Sequence, residues 1–324
     1  MKNELRKGAK ALLKRSVPEL DLASYLEGHE TERAVFVDRL FAGLKDYGFI
    51  ILTGHTVSQD EVDEAYELTT QLFSLPREIK SKYSGESNGG QRGHTRFGQE
   101  HAVGHPYPDL KEFWHVGREV PPSHPYAQYY PGNFWPEEFP HFRRVMTALY
   151  DAMEKTADTL LKALGTALDL PPNYFSEMIH EGNSVLRLIH YPPLAQDAHP
   201  QSVRAAAHED INLITLLVGA TDSGLQLLDR NGQWLDVHSQ PNQIVVDTGD
   251  MMSRITNEVI PSTTHRVTNP NNSRSRRYSM PYFVHPHPQA VLSCLPSCRE
   301  GGEKYPPISS NDFLMERLKD IGLK

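Results

Sequence analysis

Between Ile211 and Asp247 the chain repeats one pattern: short β-prone apolar runs, each closed by turn residues. Ile211-Asn212-Leu213-Ile214-Thr215-Leu216-Leu217 comes first. Gly224-Leu225-Gln226-Leu227-Leu228, the turn Asp229-Arg230-Asn231-Gly232, and Gln233-Trp234-Leu235-Asp236-Val237 follow. Gln243-Ile244-Val245-Val246-Asp247 then leads into Thr248-Gly249-Asp250. Short strands with turn signals at regular intervals point to a β-sandwich or barrel.

Immediately ahead of this run stands His208-Glu209-Asp210, and beyond it His265 in Thr264-His265-Arg266-Val267. In a strand, residues i and i+2 share a side, so His208 and Asp210 reach one point while Glu209 turns away. Two imidazoles and a carboxylate on one face of a metal leave positions open, which suits Fe(II) oxygenases that bind O2 and a co-substrate together. His-x-Asp alone is weak, since with 16 histidines on the order of one such triplet arises by chance. Its place before the β-rich run gives it weight. The same ligand types also suit a zinc hydrolase, but the chain has no His-Glu-x-x-His to supply a general base.

From about Leu186 to Val284 the chain resembles the isopenicillin N synthase-like family of Fe(II)/2-oxoglutarate-dependent oxygenases. The resemblance rests on Arg-Leu-Ile-His-Tyr-Pro-Pro (187–193), His-Glu-Asp-Ile-Asn-Leu-Ile-Thr-Leu-Leu (208–217), Gly-Leu-Gln-Leu (224–227), Gly-Gln-Trp (232–234), Thr-Gly-Asp (248–250), Thr-Asn (256–257), His-Arg-Val (265–267) and Arg-Tyr-Ser-Met-Pro-Tyr-Phe (277–283). It implies a mainly β fold with flanking helices: a double-stranded β-helix (jelly roll) core with an N-terminal helical and strand extension. It implies His208, Asp210 and His265 as iron ligands. Arg277 and Ser279 would bind the far carboxylate of 2-oxoglutarate, with Tyr191 beside the same pocket.

Arginine suits that task because its planar fork offers two aligned donors, where lysine is a point charge. Arg274 and Arg276 are near, but Arg277 has Ser279 at i+2, on the same side of a strand. The cofactors implied are Fe(II), 2-oxoglutarate and O2, with succinate and CO2 released as a small-molecule substrate is oxidised, most commonly by hydroxylation. By the same resemblance Gln91, Arg92, His94, Arg96 and Phe283 are candidate substrate contacts.

One departure bears on the co-substrate. Ile189 stands where many plant-type relatives carry Asn in Arg-x-Asn-x-Tyr, which leans toward the isopenicillin N synthase branch, an oxidase that needs no keto acid. The alternatives are therefore that oxidase type, an ethylene- and succinate-forming enzyme, or, in another class, a non-catalytic jelly-roll binding protein. The intact triad counts against the last.

At 324 residues one large β domain with helical additions fits the length. The expected division is 1–180 as the helical and strand region packing on the core and lidding the site, 181–290 as the oxygenase core, and 291–324 as a tail and helix, in one integrated unit. A net charge of −8 argues against a nucleic-acid partner. Cys294 and Cys298 are four apart, which is neither a redox nor a zinc spacing, and they read as reduced thiols. With no apolar run of membrane length and no secretory signal, no membrane association and a cytoplasmic location are expected. The oligomeric state is not encoded.

In chain order, 1–16 reads as a surface tail and 17–22 as an edge strand. A helix is expected over 31–46 and a buried strand over 47–55, with His55 at a structural corner. Ser58 and Glu61 would form a capping box for a helix ending before Pro76. The glycine-interrupted stretch 84–107 reads as a loop, which the resemblance places over the site mouth; a second metal site from His94, His101 and His105 is the weaker reading. A strand is expected at 108–114 and the longest helix at about 138–169, its apolar stripe facing the sheet. His285-Pro286-His287-Pro288 reads as an extended exit rather than a metal sequence, and 310–322 as a closing helix with Phe313, Leu314, Leu318 and Ile321 inward.

Overall fold

The structure, a computed structural model, describes residues 16–84, 90–100, 106–194, 199, 201–270, 272 and 274–320. Two sheets carry the architecture. The larger has eight strands in the order β1-β2-β10-β7-β12-β5-β4-β3. These are β1 (Glu19–Asp21), β2 (Phe49–Thr53), β3 (Gly93–Thr95), β4 (Glu112–Gly117), β5 (Val185–Tyr191), β7 (Ile214–Val218), β10 (Ile244–Thr248) and β12 (Arg277–Val284). The smaller runs β6-β11-β8-β9: β6 (Ala205–His208), β8 (Leu225–Leu228), β9 (Trp234–Asp236) and β11 (His265–Val267). Pairing is antiparallel within both sheets except β1 with β2. The sheets close face to face: Phe113, Ile189 and Tyr191 of one pack with Ala205 and Val267 of the other, and Phe49 and Val245 with Leu227. This is the double-stranded β-helix that the resemblance implied.

Period-two alternation gives the larger sheet two different faces. On one, Leu186, Leu188, Leu216, Val246, Met280 and Tyr282 join the apolar cluster of the 26-residue helix Phe142–Ala167, through Val145, Leu149, Met153 and Leu160. Each fully buried leucine there contributes roughly 1.5–3 kcal/mol. On the other face Arg187, Ile189, Tyr191, Thr215, Asp247, Arg277, Ser279, Pro281 and Phe283 line a cavity between the sheets. Helices Glu30–Tyr47 and Gln59–Ser74 complete the outer layer.

Three local expectations need correcting. Ser58 precedes the Gln59–Ser74 helix but makes no side-chain cap bond; Asp60 and Glu61 in the first turn complement the helix dipole instead. The capping box forms one helix earlier, where the His29 N–H donates to Glu32 Oε2 at 2.8 Å. The strand expected at 108–114 begins at Glu112, because the backbone ahead of it bonds elsewhere, the Asp109 N–H to the Glu100 carbonyl and the Leu110 N–H to the Val203 carbonyl, each at 3.0 Å. Asp109 Oδ1 accepts the Ala206 N–H at 2.9 Å and Asp109 Oδ2 pairs with Lys111 at 2.8 Å, which ties the first residues of that segment to β6. The long helix is shorter than expected, starting after Pro140 and ending ahead of Asp169, whose φ of 55° is left-handed.

The closing helix is Ser310–Asp320, with Phe313 and Leu318 buried. Expectations at residues 1–15, His101, His105 and Ile321 lie outside the described residues. Cys294 and Cys298 are both buried free thiols. Among the described residues no helix is long and apolar enough to cross a membrane.

Candidate active site

β6 and β11 pair so that His208 lies opposite His265. Their ring centroids are 4.4 Å apart. Asp210 is not itself in a strand: β6 stops at His208, and the carboxylate arrives from the first turn beyond it. That turn is pinned to the segment after β10, where the Asp250 N–H donates to the Asp210 carbonyl at 2.7 Å. A Cβ on Gly249 would collide with the backbone oxygens of Asp210 and Asn212, which is why Thr-Gly-Asp needs its glycine. One ligand atom from each of His208, Asp210 and His265 falls within 4.8 Å of the others. Asp210 Oδ1 is 3.9 Å from both His208 Nε2 and His265 Nε2.

The protonation states suit a cation. His208 Nδ1 is 2.7 Å from the Ala206 carbonyl, and His265 Nδ1 3.1 Å from the Thr263 carbonyl. A carbonyl only accepts, so each Nδ1 carries a proton, and in the neutral ring the lone pair is on the Nε2 that faces Asp210. Burial, then the neighbouring His265, pushes His208 down to about 4, which keeps it neutral. Burial alone would raise Asp210, but His265, His208 and the Thr215 hydroxyl hold it below the ordinary carboxylate value. Burial and the adjacent Asp210 push Asp247 well up. Two imidazoles and one ionised carboxylate converging on a point are a donor set for a divalent metal.

The cavity has a volume of about 930 Å³. Arg277, 2 % exposed, sits at the start of β12, opposite Tyr191 of β5. Its Nε donates to the Asp222 carbonyl at 3.1 Å and one terminal nitrogen to Ser279 Oγ at 3.0 Å, with the guanidinium 5.0 Å from the Tyr191 ring centroid. Among the described residues no carboxylate pairs with it. A buried, oriented cation with no carboxylate partner among the described residues, lining the same cavity as the triad, can receive an anion.

Of the expected substrate contacts, Gln91, His94, Arg96 and Phe283 line the cavity. His94 Nε2 is also bound to Glu112 at 2.9 Å. Arg92 requires correction. It is fully buried and outside the lining, lying against Gly117 where any Cβ would strike its guanidinium. It donates to the Gln91 carbonyl at 2.7 Å and reaches Asn183 Oδ1 at 3.4 Å, so it braces the wall from behind. Burial pushes it down to about 10.

Arg187, Asn183, Glu100, Lys111 and His115 carry no role in the sequence reading yet line the cavity. Counting back in twos from Tyr191 along β5 would have found Arg187. Its guanidinium lies 4.3 Å from the Phe113 ring centroid and 5.1 Å from that of Phe283. Arg187 Nε donates to His115 Nε2 at 2.6 Å, while His115 Nδ1 is 2.9 Å from the Gly90 carbonyl. Burial, then Arg187, holds His115 well below its usual value, so it is a neutral acceptor for that bond. Lys111 bridges Glu100 at 2.7 Å and Asp109 at 2.8 Å. Burial would raise Glu100, but Arg187 and Lys111 keep it ionised. Glu100 comes from a loop with no periodicity, and Asp109 and Lys111 from a stretch read as a plain strand, which is why their place in the cavity was not legible.

Comparison with known proteins agrees with this geometry. Residues 17–138 match the model described as the N-terminal region of a non-haem dioxygenase in morphine synthesis, and residues 182–286 match the 2OG-Fe(II) oxygenase superfamily. A 2-oxoglutarate-Fe(II) type oxidoreductase, hxnY, of Emericella nidulans is 32% identical over 93% of this chain and 89% of its own length. Among solved structures, a 2OG-Fe(II) oxygenase family protein from Caulobacter crescentus superposes with a TM-score of 0.85 at 39% identity, covering 94% of this chain and 99% of that one. A full-length Neurospora crassa protein, in complex with alpha-KG and thymine, gives a TM-score of 0.84 at 30% identity, covering 94% and 96%. The zinc-hydrolase and non-catalytic readings fall with these findings, as does the keto-acid-independent alternative. The chain belongs to the 2-oxoglutarate–Fe(II) oxygenase family and is a dioxygenase that uses Fe(II), 2-oxoglutarate and O2.

Proposed function

We propose that His208, Asp210 and His265 hold the Fe(II), that Arg277 with Ser279 receives the distal carboxylate of 2-oxoglutarate over the Tyr191 ring, and that the enzyme hydroxylates a small polar molecule. The observation that carries this reading is the pairing, in one cavity, of a metal-ligand cluster with a buried guanidinium lacking a carboxylate partner among the described residues. The bound iron supplies activation of O2 at positions the protein leaves open. The chain's own residues do the rest. The Ala206 and Thr263 carbonyls keep both imidazoles in the ligating tautomer, and Arg277 sets the direction of the co-substrate.

Arg187, fixed between Phe113 and Phe283 and held by His115, is the proposed substrate-facing donor, with Gln91, His94 and Arg96 nearby. A neighbour that binds thymine supports a compact substrate of this kind. The net charge of −8 and the position of the site between the two sheets favour a small molecule over a nucleic acid. Two free buried thiols favour the reducing cytoplasm.

The test is an anaerobic titration of the Fe(II)-loaded protein with 2-oxoglutarate, followed by the visible metal-to-ligand charge-transfer band. A saturable band is expected. In Arg277→Ala its midpoint rises at least about tenfold, because a hydrogen bond to a charged group is worth roughly 1.5–3 kcal/mol. Iron bound without any band sinks the assignment.

A further inference from the structure

The two oxygens of Asp210 have different surroundings. Oδ1 faces the two histidine Nε2 atoms, at 3.9 Å from each. Oδ2 accepts a hydrogen bond from Thr215 Oγ1. The sense of that bond is fixed by proton counting. Thr215 Oγ1 also lies 2.8 Å from Asn212 Nδ2, and an amide NH2 group only donates. The hydroxyl therefore accepts from Asn212 and has one proton left, which goes to Asp210. With the amide turned over, Thr215 would have one proton for two acceptors, and one of the two contacts would become a repulsion between lone pairs.

Neither residue is free to wander. Asn212 is 0 % and Thr215 3 % exposed. Thr215 sits mid-sheet on β7, paired with Asp247 of β10 on one side and Phe283 of β12 on the other. The relay thus anchors a ligand carried by the turn after the smaller sheet's β6 to the centre of the larger sheet.

Given the reading of the triad as an Fe(II) site, we infer that Thr215, oriented by Asn212, is a positioning residue that reserves Asp210 Oδ2 and leaves one oxygen for the metal. A carboxylate with both oxygens free can turn or chelate. Chelation by both would occupy a position that 2-oxoglutarate or O2 needs. The relay holds that position open.

The test uses the full-length chain and binding measurements rather than turnover. Fe(II) and Co(II) are titrated into wild type, Thr215→Val, Thr215→Ser and Asn212→Ala. Co(II) visible absorption reports the ligand set, and 2-oxoglutarate binding is measured on the Co(II) form. Thr215→Val is expected to lose about 10–100-fold in Fe(II) affinity, the usual cost of removing a partner behind a metal ligand. Its Co(II) spectrum should change and its 2-oxoglutarate dissociation constant should rise. Thr215→Ser should keep both near wild type, and Asn212→Ala should fall between.

Wild-type affinity and spectrum in Thr215→Val, or a serine variant as weak as the valine one, overturns the inference. If the valine variant does not fold, Asn212→Ala decides on the same two readings, wild-type values again overturning it. Failure of the wild type to bind Fe(II) would instead overturn the metal assignment itself.

Discussion

At the scale of single residues, the cavity is defined by groups held in one protonation state. His285 illustrates the cost of doing so. It lines the cavity, its Nδ1 lies 3.3 Å from the Phe283 carbonyl, and burial pushes it down to about 4. In the unfolded chain it titrates near 6.5. As pH falls below 6.5 the unfolded state takes up a proton that the folded state refuses until about 4, so stability is lost across that window. By pH 5 the loss from this one group is about 2 kcal/mol. Urea denaturation of His285→Gln at pH 7 and pH 5 should show a flatter dependence than wild type by about that amount; equal slopes would mean His285 is not the source.

At this scale the sequence was only partly informative. The proposed ligands His208, Asp210 and His265, and the proposed pair Arg277 and Ser279, stand in segments that carry the family resemblance. Arg92 was misread because exposure cannot be read from a glycine-rich segment: Gly117, 25 residues away in the chain, provides the slot that buries it.

Elements were legible where alternation or helical spacing is strong, as in β5, β7, β10, β12 and the Phe142–Ala167 helix. They were less legible where the backbone of a strand-like stretch bonds to loops instead of a neighbouring strand, as in the segment before β4. The Asp210 turn is the sharpest case. A strand was expected to carry it, and a backbone bond from Asp250 carries it instead. Gly249→Ala therefore belongs to the element and not to the residue. Its Cβ would push on the Asp210 and Asn212 carbonyls and move the turn. We expect weaker Fe(II) binding by titration and a lower apparent melting point in the metal-loaded protein, while far-UV circular dichroism keeps the sheet signal. Unchanged Fe(II) affinity would show that the turn yields without moving the ligand.

The whole molecule is one closed pair of sheets whose interior holds two separate polar stations. Arg277 with Ser279 lies at the start of β12, and Arg187 with His115 lies on β5 and β4. They share a cavity, but among the described residues no hydrogen bond joins one station to the other. Arg187→Met keeps the side-chain length and its contact with Phe113 and Phe283 while removing the donor. It should leave the 2-oxoglutarate titration close to wild type and raise the KM for the prime substrate, with more 2-oxoglutarate consumed per substrate oxidised. A lost charge-transfer band in this variant would show that the two stations are one. The closing helix adds a third wall, since Leu314, Arg317 and Leu318 line the cavity and Arg317 pairs with Asp250 at 2.9 Å.

The two unlike faces of the larger sheet also say something about inheritance. The residues that keep the fold together, Leu186, Leu188, Met280 and Tyr282, alternate along the same strands with Arg187, Ile189, Pro281 and Phe283. A descendant could exchange the second set one position at a time, and the first set would go on clasping the long helix. Such a chain could change its diet by drift along β5 and β12 while the proposed iron ligands, on other strands and turns, stayed where they were.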